Sequence, residues 1–259
     1  MDMNRTAMKN EAKGLIARSS PSPILIGLVY AMITYILGLL STQLTGIRVD
    51  PNEYYNALMA ADYSYFQRVL QSYNPGAAAW ILDAAIQIML LILSAGFTIF
   101  ILNTIRHYAT GFGNLFDGFA IFLRVLWLTI LLFVFVFLWS LLLVVPGIIA
   151  IYKYRLAMYL LLDHPEMSPY QCIRDSGKMM SGHKWQLFVL DLSFLGWYIL
   201  LIIPFTTIWV TPYTQLTYAI FYDNLRGALG YAAPAGEPAP DDRSNNGGDG
   251  SNNGGDGNT

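Results

Sequence analysis

Six stretches of this chain are long, apolar and almost free of charge, and they leave few folds open. They cover residues 24–44, 80–102, 121–145, 147–162, 185–203 and 205–222. The first runs 21 residues without a charge. A helix rises 1.5 Å per residue, so about 20 residues cross the hydrocarbon core of a bilayer. Composition agrees: 55% of residues are hydrophobic and 12% charged, against about 25% charged in a soluble domain. The mean hydropathy is +0.43. A disordered chain, a nucleic-acid binder and an ordinary soluble enzyme are excluded.

Two turn signals divide the later stretches. Pro146-Gly147 separates the third from the fourth, and Pro204 the fifth from the sixth. Residues 121–162 as one helix would run about 63 Å, roughly twice the hydrocarbon thickness, so a hairpin is expected. The expectation is an all-α membrane bundle of about six transmembrane helices. Residues 1–231 form the membrane domain. Residues 232–259 hold no aliphatic or aromatic anchor, contain SNNGGDG twice, and read as a disordered Gly/Asn/Asp-rich tail.

Basic residues set the orientation. With the N-terminus inside, the cytoplasmic segments hold Arg5, Lys9, Lys13, Arg18, Arg106, Arg124, Arg174, Lys178, Lys184 and Arg226. The outer loop holds Arg48 and Arg68. Both termini are therefore expected in the cytoplasm of a protein of the cell membrane. The first apolar run is too long for a signal peptide and lacks a cleavage site after it, so it is expected to remain as a span. Cys172 is the only cysteine.

Three segments read as amphipathic helices in the membrane interface. Residues 5–18 place Arg5, Lys9 and Lys13 on one stripe and Met8, Ala12 and Leu15 on another. Residues 168–181 open with Ser168, Pro169 and Gln171, a capping-box pattern. There Tyr170, Ile173, Gly177 and Met180 share a face opposite Arg174 and Lys178. In the outer loop, Asp62 caps a helix bearing Phe66, Val69, Leu70 and Tyr73. The basic residues, Lys184 included, attract anionic headgroups.

Charges inside spans are costly, and they mark function or pairing. Asp83, Lys153, Arg155 and Asp191 sum to zero. Depth reckoned along the helices pairs Asp83 with Lys153, and Asp191 with Arg155 or Arg124. Ser193 lies two residues beyond Asp191. The sixth stretch carries Thr207, Thr211, Thr214 and Tyr218 at helical spacing, with Tyr222 one turn on. That stripe is expected to hydrogen-bond between helices, with a threonine covering the carbonyl freed by Pro212.

Asp163, His164, Glu166 and His183 match no metal spacing. Gly111-Phe112-Gly113 lacks the third glycine and preceding strand of a nucleotide fingerprint. No catalytic residue, metal or cofactor is expected. The leading reading is a non-enzymatic protein that binds or helps move a lipid-like or amphipathic small molecule. The alternatives are an accessory subunit of a membrane or envelope complex, and a membrane-embedded hydrolase or transferase using those four residues. Membrane lipids are the expected partners, beside a membrane-protein partner, and nucleic acid is not.

Residues 146–150, Pro-Gly-Ile-Ile-Ala, are followed by Tyr152, Tyr154, Arg155, Ala157 and Met158. Asp163, Pro165, Ser176, Met179, Met180, Gly182 and Lys184 come next, then Ser193-Phe194-Leu195-Gly196-Trp197, Pro212-Tyr213 and Phe221-Tyr222. Over residues 4–226 this order resembles the bacterial integral-membrane family catalogued as domain of unknown function 975. The resemblance implies a multi-span helical membrane protein and implies no activity.

Overall fold

The computed structural model describes residues 4–46, 51–60, 62–200 and 206–231. Among these residues the secondary structure is helical throughout, with no strand. The tail at 232–259 and the turn at Pro204 lie outside them.

Among the described residues, four helical segments are long and apolar enough to cross a membrane. The first is α2 (Pro23–Thr45), capped by Ser22, whose hydroxyl accepts from the Ile24 amide, with Pro23 at the first helical position. The second is α5 (Ala77–Ile105). The third joins a 3-10 helix (Phe112–Ile121) to α6 (Phe122–Leu142). The fourth runs through α7 (Val144–Tyr154) and α8 (Ala157–Asp163). The expected hairpin forms, but it turns at Leu143, whose backbone is extended. Pro146 falls inside the first turn of α7, where an amide has no helical partner to lose.

α2 lies against α5, with Tyr30 stacked on Phe97 at 4.6 Å between centroids. α5 meets the 3-10 helix through two glycines. A methyl group on Gly96 would strike the Leu115 carbonyl, and one on Gly118 would strike the Ile92 carbonyl. Backbone thus packs on backbone without intervening side chains, as small residues allow between membrane helices.

α12 (Thr207–Ala228) occupies the centre. It contacts α2, α5 and α1 (Arg5–Arg18). Leu216, Ala219, Phe221, Tyr222 and Leu225 on it are fully buried. α1 is the amphipathic segment read from the sequence, and its expected stripe of Met8, Ala12 and Leu15 is buried. That stripe faces α12 and the bundle, not the lipid interface.

α9 (Pro169–Met179) forms with the expected capping box, Gln171 amide to Ser168 hydroxyl and Ser168 amide to Gln171 side chain. It too packs inward, against α6, α7 and α8. Its buried face is Cys172, Ile173, Ser176 and Met179, while Tyr170 is exposed. Of the expected face Ile173 and Met180 are buried, and Ser176 joins them by donating to the Lys153 carbonyl at 3.0 Å. Arg174 and Lys178 stay exposed, around Asp175. The outer loop holds α3 (Pro51–Met59) and α4 (Tyr63–Ser72), and Asp62 caps α4 by accepting from the Ser64 amide. The fifth stretch comprises α10 (Lys184–Leu192) and α11 (Leu195–Leu200).

Candidate functional site

Two helices lose their regular ladder at neighbouring places. Between α7 and α8 it lapses at Arg155-Leu156. Between α10 and α11 it lapses at Ser193-Phe194, where the Phe194 amide bonds back to Asp191 at 2.9 Å, a three-residue step. Mid-helix tightening of this kind often marks functional positions. Arg155 lies near the middle of its apolar segment, about 12–16 Å from either end by helical rise.

Around these lapses the sequence supplies hydroxyls and rings. Tyr218 of α12 donates to Asp191 of α10 at 2.6 Å. Its proton is thereby committed, so Tyr198 of α11 donates to Tyr218 across 2.7 Å. Tyr152 of α7 also stands near Asp191. The Arg155 guanidinium lies over the Tyr218 ring, 5.1 Å from its centroid. Phe194 is fully buried, its ring 5.8 Å from Tyr218, 5.5 Å from Tyr213 and 6.4 Å from Tyr198.

The N-terminal helix enters the same place. Lys9 Nζ donates to the Ser193 carbonyl at 3.1 Å and sits 4.1 Å from the Phe194 ring centroid. A lysine at the C-terminal end of α10 meets the negative end of that helix dipole. Burial first, then Arg5 and Lys13, hold the Lys9 ammonium below the ordinary lysine range. Lys13 reaches Tyr213 at 6.0 Å.

Of the expected residues, the structure brings together Arg155, Asp191, Ser193, Tyr218 and Lys9. Arg155 and Asp191 are near enough for their charges to interact. Tyr218 serves both, and among the described residues no carboxylate stands at ion-pair distance from Arg155. Arg155 is recessed among Tyr159, Tyr218 and Asp191 yet keeps accessible surface. Arg124, the rival partner, lies instead near Glu166.

The pairing of Asp83 with Lys153 is corrected. Asp83 accepts from Ser41, and Gln87 stands close by. The reason is local: α2 packs on α5 and presents that hydroxyl. Lys153 runs past Gly177 of α9, with its amine 5.2 Å from the Tyr154 centroid. The stripe on α12 divides: Tyr218 and Tyr222 bond to other helices as expected, and the threonine part is corrected. Thr214 and Thr217 donate to the Val210 and Tyr213 carbonyls of their own helix. The carbonyl that Pro212 frees by removing an amide is that of Ile208, four residues back. Thr207 and Thr211 are only partly buried, and Thr207 borders a different concavity. That one is an apolar groove of about 880 Å³ between α2 and α12, lined by Leu28, Met32, Tyr35, Gly38 and Ile208 among others. It contains no charged side chain.

A second polar cluster escaped the sequence reading. Arg106 clamps Asp163 with two hydrogen bonds of 2.7 Å, and Tyr222 donates to the same carboxylate at 2.6 Å. Asp223 lies 3.3 Å from Arg106 and 3.1 Å from Arg226. Burial opposes the Arg106 charge, but the hydrogen bonds and charge of Asp163 outweigh it and raise the guanidinium above its usual range. Asp163 is thereby occupied and is not a free base. His164 faces Glu166 at 3.1 Å and His183 faces Gln186 at 3.0 Å, two separate local pairs. Among the described residues no group of three possible ligands could hold a metal.

Residues 141–228 match the model of the family described as "Protein of unknown function (DUF975)". The family resemblance read from the sequence is thus shown over this stretch. Every member of the Arg155–Asp191–Tyr218 cluster falls inside it, and Lys9 falls outside. No curated protein and no solved structure matches the chain.

Proposed function

We propose that the protein is a six-span membrane protein, with both termini in the cytoplasm of a bacterial cell, that binds and helps move an amphipathic molecule without covalent chemistry. α10–α11 and α12 serve as the fifth and sixth spans. α12 is less apolar than the four spans named above because protein surrounds it on most sides, where Thr214, Thr217, Tyr218 and Tyr222 are buried. The α6–α7 tip supports an orientation in the bilayer: Leu141, Leu142, Leu143, Val144 and Val145 are each at least 65% exposed.

One observation carries the functional reading. Arg155 lies half-way along an apolar segment, recessed, accessible and, among the described residues, without an ion-pair partner, at the place where two helices are irregular. Non-helical backbone at membrane depth is tolerated where it lines a cavity or a binding site, and transporters place their sites there. The apolar groove between α2 and α12 supplies a surface suited to hydrocarbon chains. Asp163, the best candidate acid of an enzymatic reading, is locked by Arg106 and Tyr222.

The test is retention and transfer. Native mass spectrometry of gently purified protein is expected to find a bound amphiphile, and Arg155→Ala to lose it. Proteoliposomes are expected to exchange labelled amphiphiles faster than protein-free vesicles. Empty wild-type protein with no exchange above the vesicle background would overturn the reading.

A further inference from the structure

Resting on that reading, we infer that the ligand is a zwitterionic lipid whose phosphate meets Arg155 and whose ammonium meets Asp191. The argument is one of charge balance. Arg155 and Asp191 stand on one site with Tyr218 between them, hydrogen-bonded to Asp191 and lying under the guanidinium. Neither charge is cancelled by direct contact with the other. Asp191 is only partly buried and Arg155 is exposed.

At membrane depth each unpartnered charge is expensive. A ligand with one negative group compensates Arg155 but sets its charge against Asp191. A cation does the reverse. A ligand bearing one charge of each sign compensates both and leaves the Arg155–Asp191 pair neutral, as it began, while Lys9 spends its charge on the Ser193 carbonyl and the Phe194 ring. The partners suit the two groups. A guanidinium binds phosphate oxygens in a planar fork. A carboxylate suits an ammonium, from which it accepts charge-assisted hydrogen bonds. The Tyr198 hydroxyl is already tied to Tyr218, so it does not compete for the carboxylate.

A lipid, and not a free zwitterion, fits the surroundings. Leu192, Leu195, Trp197 and Ile199 flank the lapse in α10–α11 with 42–61% of their surface exposed. They continue the headgroup position into an apolar surface on which acyl chains can lie.

The experiment offers wild-type protein in detergent equal amounts of phosphatidylethanolamine, phosphatidylglycerol and diacylglycerol, read by native mass spectrometry. Phosphatidylethanolamine is expected to be retained roughly tenfold over each of the others. Equal or greater retention of phosphatidylglycerol overturns the headgroup assignment while leaving lipid binding in place. Retention of no lipid overturns the reading on which the assignment rests. Asp191→Asn is expected to shift the preference to phosphatidylglycerol, and Arg155→Gln to erase selectivity over diacylglycerol. Unchanged selectivity in either folded variant overturns the assignment. Melting curves establish that each variant is folded, and the wild-type selectivity decides the matter if one is not. Excess phosphoethanolamine is expected to leave bound lipid in place, and displacement would overturn the choice of a lipid.

Discussion

Arg106 and Asp163 expose 6% and 2% of their side chains, so the consequence of losing one is asymmetric. Removing either leaves the other charged, buried and unmatched, at a typical loss of about 3–5 kcal/mol. Arg106→Ala is therefore expected to unfold in mild detergent at a much lower temperature than wild type. Tyr222→Phe removes one hydrogen bond to a charged group, about 1.5–3 kcal/mol, and is expected to fall between the two. A thermal melt giving Arg106→Ala the wild-type midpoint would refute this. Cys172 allows a test by pH. It is buried, and burial first, then Asp175, push its thiol up to about 11. At pH 8 roughly one thiol in a thousand is then the reactive thiolate. Maleimide is expected to leave the folded protein unlabelled at pH 8 and to label it after unfolding in dodecyl sulfate. Rapid labelling of the folded form would contradict the packing of α9.

At the scale of elements, the contact between α5 and the 3-10 helix depends on two missing methyl groups. Gly96→Ala and Gly118→Ala place a Cβ against backbone, which cannot give as a flexible side chain would. Each is expected to destabilise by about 1–3 kcal/mol, as overpacking does. Gly38→Ala, with nothing near its would-be Cβ, is expected to be neutral or slightly stabilising through helix propensity. Equal melting points for all three would refute the close approach. The sequence was legible where one physical signal dominated. Length and hydropathy gave the long helices, and the capping chemistry of Ser168 and Gln171 gave the start of α9. It was illegible where partners come from elsewhere in the fold. Nothing near Asp83 announces Ser41, 42 residues away. Nothing near Arg106 distinguishes a topology-setting arginine from one clamped on Asp163. The lapse at Ser193-Phe194 has no Gly or Pro of its own, since Gly196 follows it, so only the tertiary contacts of Lys9 and Phe194 expose it.

Across the whole molecule, the proposed topology sorts exposed positions by side. Ala60 and Ser181 are both exposed, in the outer loop and after α9 respectively. In a Cys172→Ser background, Ala60→Cys is expected to react with an impermeant maleimide on intact cells. Ser181→Cys is expected to react only after permeabilisation. The reverse pattern would invert the topology, and labelling of both from outside would break it. The candidate site combines parts that are distant in sequence, with α1 contributing Lys9 and α12 contributing Tyr218. Arg155 and Asp191 were visible as misplaced charges. The tyrosines that connect them were not, because tyrosine is common throughout this chain, with 17 in all.

The docking of α1 on α12 also bears on synthesis. Met8, Ala12 and Leu15 leave the ribosome about 190 residues before the helix that buries them is made. Until α12 has been inserted, α1 has an apolar stripe with no protein to cover it, and Lys9 has no Ser193 carbonyl to hold. Contacts so far apart along a chain form late, after the intervening loops have closed. The α1 side of the bundle therefore closes only once α12 is in place. A nascent chain stopped before residue 207 is expected to hold α1 open to protease, and completion of α12 is the event that protects it.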